Sequence, residues 1–241
     1  MCLIVFAWQV IPGVPLVAAG NRDEFLSRPT ASAAWWTDRP QIFAGRDLQD
    51  GGTWMGVTRE GRFAAVTNFR DPSVKRPEAP SRGALVADFL AASSTPEEFI
   101  AALETHASEY NGFNLLVGDR NTLVWFSNAA PQDERNGKPL AAGIYGLSNG
   151  SLDSPWPKVV RTKAQFASLI CQGAPEDAYF EMLTDTTRAP DCRLPKTGVS
   201  LEWERVLSAV CIQSPEYGTR TSTVVRLFGD GSAALDERPL P

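Results

Sequence analysis

The chain has one histidine, His106, among its 241 residues. Metal sites built from several imidazoles are therefore excluded, and a Ser-His-Asp triad would hang on a single residue. That residue stands in a polar helical stretch, Glu104-Thr105-His106-Ala107-Ser108-Glu109, where a surface position is expected. Cysteine is also scarce. Cys2, Cys171, Cys192 and Cys211 have no spacing that fits zinc, so no metal is expected. Basic runs and a Walker-type glycine loop are missing. At a net charge of −5 the chain lacks the basic face that non-specific nucleic-acid binding needs. Its longest apolar stretches run about eight to ten residues, too short for a transmembrane segment. The apolar N-terminus has no basic n-region and no small-residue cleavage site, so no signal peptide is expected. Reduced thiols and a cytoplasmic location follow as expectations.

What is present is ordinary in bulk: 43% apolar and 21% charged residues, as in a water-soluble globular protein. No repeat, low-complexity block or linker divides the chain, which predicts one domain over 1–241.

Local information is densest at the start. Cys2 opens the apolar run Leu3-Ile4-Val5-Phe6-Ala7-Trp8, a turn falls at Pro12-Gly13, and Leu16-Val17-Ala18-Ala19-Gly20 leads into Asn21-Arg22-Asp23-Glu24. If the runs pair as a hairpin centred between Pro12 and Gly13, Cys2 lies opposite Asp23. A one-residue slip puts Arg22 there instead. An arginine beside the thiol would favour thiolate. The plain alternative is a hairpin whose polar residues form its solvated end.

Further along, Ser27 to Pro40 reads as a long loop. Short strands are expected at Ile42–Gly45, Thr53–Thr58, Arg62–Phe69, Phe113–Gly118, Leu123–Asn128 and Gly143–Asn149. Helices are expected over Gly83–Ala92, from Thr95-Pro96 with Thr95 as N-cap, over Lys158–Cys171 and near Glu176–Leu183 and Leu201–Cys211. Thr184 to Val199 looks like a surface excursion. Arg220–Phe228 and Ala233–Arg238 read as a closing hairpin. Cys171 and Cys211, among apolar helical residues, are expected to be buried packing groups. Strands apolar on both faces call for sheets covered on both sides, and tight turns make the pairing largely antiparallel. The expected class is α+β: a four-layer αββα sandwich of two mostly antiparallel sheets between helical layers.

Taken together and in order, several stretches carry a resemblance. They are Met1-Cys2, Asn21-Arg22-Asp23-Glu24, Gly51-Gly52-Thr53-Trp54, Thr67-Asn68-Phe69, Ser81-Arg82-Gly83, Gly112-Phe113-Asn114-Leu115, Tyr145-Gly146-Leu147-Ser148-Asn149, Pro155-Trp156-Pro157-Lys158 and Tyr217-Gly218-Thr219-Arg220-Thr221-Ser222-Thr223. On these the chain resembles the NRDE family, also called the Transport and Golgi Organisation family. That resemblance implies the αββα sandwich of N-terminal-nucleophile (Ntn) hydrolases. A more distant likeness is to bile-salt and penicillin V hydrolases, which also begin Met-Cys and use the cysteine once Met is removed. The freed α-amine, with a reference pKa of about 7.7–8.0, would take the thiol proton, and the thiolate would attack an amide carbonyl.

Carried over residue by residue, Cys2 matches the nucleophile, Asn68 an oxyanion-hole asparagine, and Asn149 a second asparagine near the nucleophile. Those hydrolases carry Gly-Arg-Asn-x-Asp-Trp near the cysteine. Aligned on Gly20, this chain has Asn21 where their arginine sits and Glu24 where their aspartate sits, so Arg22 and Asp23 are displaced. Arg22, Asp23 and Glu24 are expected to orient the amine or bind a polar substrate end, and Asn21 is grouped with them. Arg220 has no secure counterpart: it points into the same cleft or pairs with surface acids.

The function expected from the resemblance is a cysteine Ntn hydrolase-like protein acting on a small linear amide or thioester, with no cofactor required. The alternative is a carrier for haem or an acyl or lipid group in the same cleft without turnover, since the family is implicated in haem trafficking and in lipid or acyl-CoA homeostasis.

Overall fold

The structure, a computed structural model, describes residues 2–74 and 76–240. Eleven strands and five α-helices are formed among them. Strands β1 (Cys2–Ile11), β2 (Val14–Phe25), β9 (Gly143–Leu147), β10 (Tyr217–Leu227) and β11 (Ala233–Pro239) make one sheet, in the order β11-β10-β2-β1-β9. The second contains β3 (Thr30–Trp35), β4 (Ile42–Asp47), β5 (Met55–Thr58), β6 (Phe63–Asn68), β7 (Phe113–Gly118) and β8 (Leu123–Ser127) in chain order. Every strand pairing in both sheets is antiparallel.

Alternation along β1 shows how the layers arise. Cys2, Ile4, Phe6 and Trp8 face the second sheet and pack with Trp54, Phe63 and Trp125. Leu3, Val5 and Ala7 face outwards, against Val159 and Phe166 of α3 (Pro157–Gln172) and Phe180 of α4 (Glu176–Leu183). The outer face of the second sheet is covered by α1 (Gly83–Ala91) and α2 (Pro96–Glu104). Both faces of each sheet are therefore apolar, and the four-layer αββα expectation is met. α2 starts as its sequence dictates. Thr95 Oγ1 accepts from Glu98 N–H at 3.2 Å, Glu98 Oε2 accepts from Thr95 N–H at 2.9 Å, and Pro96 opens the helix.

Four expectations are corrected. The stretch read as a loop contains β3, an edge strand whose Ser, Ala and Trp residues stay largely at the surface and so give no apolar signal. The helix α5 (Leu201–Leu207) stops before Cys211, which is buried in the chain beyond it. Cys171, at the end of α3, is exposed. The fourth concerns register. Ile11 pairs with Val14 as the turn demands, but Gln9 takes φ 50° and, with Val10, occupies the span opposite Pro15 alone. That bulge offsets all that follows by one place, so Trp8 pairs with Leu16 and Cys2 with Arg22, not Asp23.

Among the described residues no helix is long and apolar enough to cross a membrane. α3 is seated closely on β9: a Cβ added at Gly146 would lie 2.7 Å from Val159 Cγ1. Gly146→Ala should therefore cost about 1–3 kcal/mol by overpacking, seen as a lower urea midpoint at unchanged slope.

Candidate active site

The site sits where β1 and β2 meet the ends of β6 and β9. Ser148, just past β9, donates from Oγ to the Cys2 carbonyl at 2.9 Å. Thr67 Oγ1 donates to the Ser148 carbonyl at 2.5 Å, and Asn149 Nδ2 to the Asn68 carbonyl at 2.8 Å. Buried Asn114 adds a bond from Nδ2 to the Gly150 carbonyl at 2.9 Å. The Thr67, Asn149 and Asn114 bonds tie the two sheets together, and the Ser148 bond joins that tie to Cys2.

Cys2, 8% exposed, lies on the wall of a cleft of about 850 Å³ that Arg22, Asp23, Glu24, Trp54, Asn68 and Arg82 also line. Burial pushes the thiol pKa above its usual value of 9.0. The nearby Asp23 carboxylate adds to this, and the Arg22 guanidinium pulls the other way. So an arginine does face the thiol, yet burial outweighs it and the thiol stays protonated at neutral pH. A base is needed to activate it.

A second cavity of about 360 Å³ adjoins the first and shares Glu24, Asn68, Arg82 and Asn111 with it. Its remaining wall is mostly apolar, with Phe25, Phe69, Val199, Trp203, Leu207 and Tyr217.

The expected site residues part company here. Cys2, Arg22, Asp23, Glu24 and Asn68 converge on the cleft. Asn68 lines both cavities, and no hydrogen bond among the described residues engages its carboxamide. Arg22 donates to Thr30 Oγ1 at 3.2 Å. Asn149 is fully buried and, with its amide on the Asn68 carbonyl, supports the wall from behind. Asn21 faces the helical layer. Its Nδ2 donates to the carbonyls of Leu183 and Val210, each at 2.9 Å, and its Oδ1 accepts from Ser222 at 2.7 Å. Arg220 does neither of the things expected of it: its Nη1 donates to the carbonyls of Phe25, Leu26 and Arg28, pinning that turn. The expected removal of Met1 concerns a residue outside those described.

Two cations escaped sequence reasoning, although both stand inside motifs quoted above. Arg82 occupies the N-cap of α1, donates to the Gly112 carbonyl at 3.2 Å and reaches both cavities. Burial lowers its pKa, while Glu24 and Cys2 act in the opposite sense. Its place depends on Gly52, where an added Cβ would come within 2.5 Å of the Gly83 backbone. Lys158 stands in the first turn of α3 and is 1% exposed. The signal that could have found them is a basic residue at a helix start, against the helix dipole.

Of the cleft arginines, Arg28 is ion-paired with Asp47 and Asp50, and Arg46 with Asp38. Arg22 and Arg82 form no ion pair within 4.0 Å among the described residues, although Glu237 lies within electrostatic reach of Arg22 and Glu24 of Arg82. At the second cavity, which Arg70 lines, Arg70 and Glu204 form a buried pair at 2.8 Å, and Glu204 also accepts from Thr197. Breaking such a pair costs about 3–5 kcal/mol, which marks it as structural. No group of side chains that could hold a metal ion occurs among the described residues.

The architecture matches that of a Caenorhabditis elegans N-acylethanolamine-hydrolyzing acid amidase ortholog, with a TM-score of 0.54 over the whole length of both chains at 12% identity. The fold is that of the N-terminal-nucleophile hydrolases, and at this identity the likeness extends to the fold alone. By sequence, the chain belongs to the Transport and Golgi organisation 2 family, whose model matches residues 1–240. Bovine and human Transport and Golgi organization protein 2 homologs are 33% and 31% identical to it, each over all of this chain and 93% of their own length.

Two outcomes follow from the geometry. Asn21→Ala strands three buried polar groups at about 1–3 kcal/mol each, so equilibrium denaturation should show a loss of roughly 3 kcal/mol or more. In the chain that retains Met1, iodoacetamide at pH 7 should label exposed Cys171 and Cys192 well before Cys2, as read by peptide mass spectrometry.

Proposed function

We propose that the protein is a cysteine hydrolase of the Ntn type acting on a small linear amide or thioester. The observation that carries this reading is the meeting of Cys2, Asn68, Arg22 and Asp23 at one cleft of about 850 Å³. Loss of Met1 would make the Cys2 amine the chain terminus, with a pKa of about 7.7–8.0. That amine takes the thiol proton, and the thiolate attacks the substrate carbonyl. Asn68 donates to the oxyanion. The leaving amine or thiol departs with the proton held by the α-ammonium. Water then adds to the Cys2 thioester, gives its proton to the α-amine and releases the acid. No imidazole is needed in this sequence of steps, which suits a chain with one histidine outside the cleft.

Arg22 and Arg82, neither of them locked in a close ion pair, suit the polar end of a substrate, and the adjoining cavity suits an apolar chain. That apolar cavity also supports a second reading, a carrier that holds an acyl group in the same place without turnover.

Intact-mass measurement of the purified protein should find Met1 absent. A screen of amides and thioesters should then find turnover that Cys2→Ala abolishes and Asn68→Ala lowers about 10²–10³-fold in kcat. Retention of Met1 on most molecules would sink the hydrolase reading. Saturable acyl binding without turnover, equal in wild type and Cys2→Ala, would favour the carrier.

A further inference from the structure

Three aromatic rings, those of Phe25, Tyr217 and Trp203, share the wall of the second cavity. Phe25 and Tyr217 have ring centroids 5.2 Å apart with planes at 81°, and Tyr217 and Trp203 have theirs 5.8 Å apart at 80°. Tyr217 meets each neighbour almost at a right angle, so the rings turn corners instead of lying flat along one side. Each is anchored. Phe25 ends β2, where Arg220 donates to its carbonyl at 3.0 Å. Trp203 lies in the first turn of α5, its backbone N–H donating to Ser200 Oγ at 3.3 Å. Tyr217 donates from its hydroxyl to the Asp23 carbonyl at 3.0 Å.

Two of these rings stay open: Phe25 is 52% and Trp203 42% exposed. Elsewhere the protein covers ring faces with its own arginines, since Arg46 lies over Trp36, Arg59 over Trp35 and Arg238 over Phe180. Among the described residues no lysine or arginine is so placed over Phe25 or Trp203. Carboxylates stand at the same cavity. Glu24 and Asp71 line it, and neither forms a close ion pair among the described residues. Of the cations on the wall, Arg70 is matched by Glu204 at 2.8 Å, and Arg82 lies on the side shared with the larger cleft. Two carboxylates then face one guanidinium, and the balance is negative. A ring face attracts a cation, most strongly when both are out of water. A saturated chain would gain from the apolar surface alone. An alkylated ammonium would gain from that surface, the ring faces and the carboxylates together.

We propose that the second cavity binds the alkylated ammonium group of a small molecule, a choline-like head, against Phe25, Tyr217 and Trp203. Methyl groups on the nitrogen suit this wall better than a bare ammonium, because they add apolar area and remove N–H donors that would lose their water. Glu24, Asn68 and Arg82 are common to both cavities, so the rest of such a molecule reaches towards the cleft. Such binding goes beyond the hydrolase reading and needs neither Cys2 nor turnover.

The test titrates the full chain with choline and with 3,3-dimethyl-1-butanol, its neutral isostere with carbon in place of nitrogen, under proton–nitrogen NMR. The Trp203 indole N–H is one of seven tryptophan signals and is assigned by its loss in Trp203→Leu. Choline should shift it saturably and bind about fivefold or more tighter than the isostere. Phe25→Leu keeps apolar bulk but removes a ring, and should cut that preference to about twofold or less. Equal affinity for the two compounds in wild type, or choline binding that leaves the Trp203 signal unmoved, would overturn the assignment, and this comparison decides alone if Phe25→Leu does not fold. A preference that persists in full in folded Phe25→Leu would overturn it too. Phosphatidylcholine vesicles carry the same head in a bilayer: sedimentation with them, without binding of free choline, would overturn a small-molecule site. Absence of amide or thioester turnover would remove the hydrolase reading and leave these titrations to stand or fall by themselves.

Discussion

Two sheets held face to face only by apolar side chains can slide, because burial has no direction. In this protein the sliding is stopped at one end by side-chain hydrogen bonds to backbone carbonyls, those of Thr67 and Asn149 crossing between the sheets and that of Ser148 joining the crossing to β1. Ser148 holds the Cys2 carbonyl, Thr67 the Ser148 carbonyl, and Asn149 the Asn68 carbonyl. These contacts lie in a dry interior where an unmade bond is expensive. They bring a thiol from one sheet beside a carboxamide from the other. Without them, Cys2 and Asn68 would belong to separate layers.

Around that junction, charge is placed against local preference. Arg82 caps a helix start, Lys158 follows another, and a neutral thiol lies across from Arg22. The two cations oppose the helix dipole and burial, and the thiol stays neutral against the pull of the arginine across from it. Elsewhere the chain obeys the same preferences closely, as the capping box of α2 shows. Departures gathered in one place are what a site poised for ligand or proton chemistry looks like.

Much of the fold could be read from residue patterns. The two-faced apolar strands implied covered sheets, and tight turns implied antiparallel pairing. β3 escaped because an edge strand with a surface-facing composition carries no periodic signal. The site was legible by residue type but not by orientation. Asn21, Asn68 and Asn149 look alike in sequence, since each closes or follows an apolar run. Only strand parity and the availability of unpaired carbonyls decide that Asn68 meets the cleft while the other two clamp backbone. Arg22 opposite Cys2 was one of two open registers, and nothing in the composition around Gln9 announced the extra residue that chose between them.

That extra residue gives the hairpin a lever arm. Gln9 lies seven positions from Cys2, roughly 23 Å along an extended strand. At that range no side chain at the turn touches the sulfur, and exchanging one residue for another there leaves the thiol's surroundings alone. Changing the number of residues is different. Losing one from the bulge would advance the whole of β1 against β2 and trade a cation for an anion across from the sulfur. Chain length at the tip is thus an electrostatic setting for the opposite end, and variants that lengthen or shorten this turn act on the site although they never come near it.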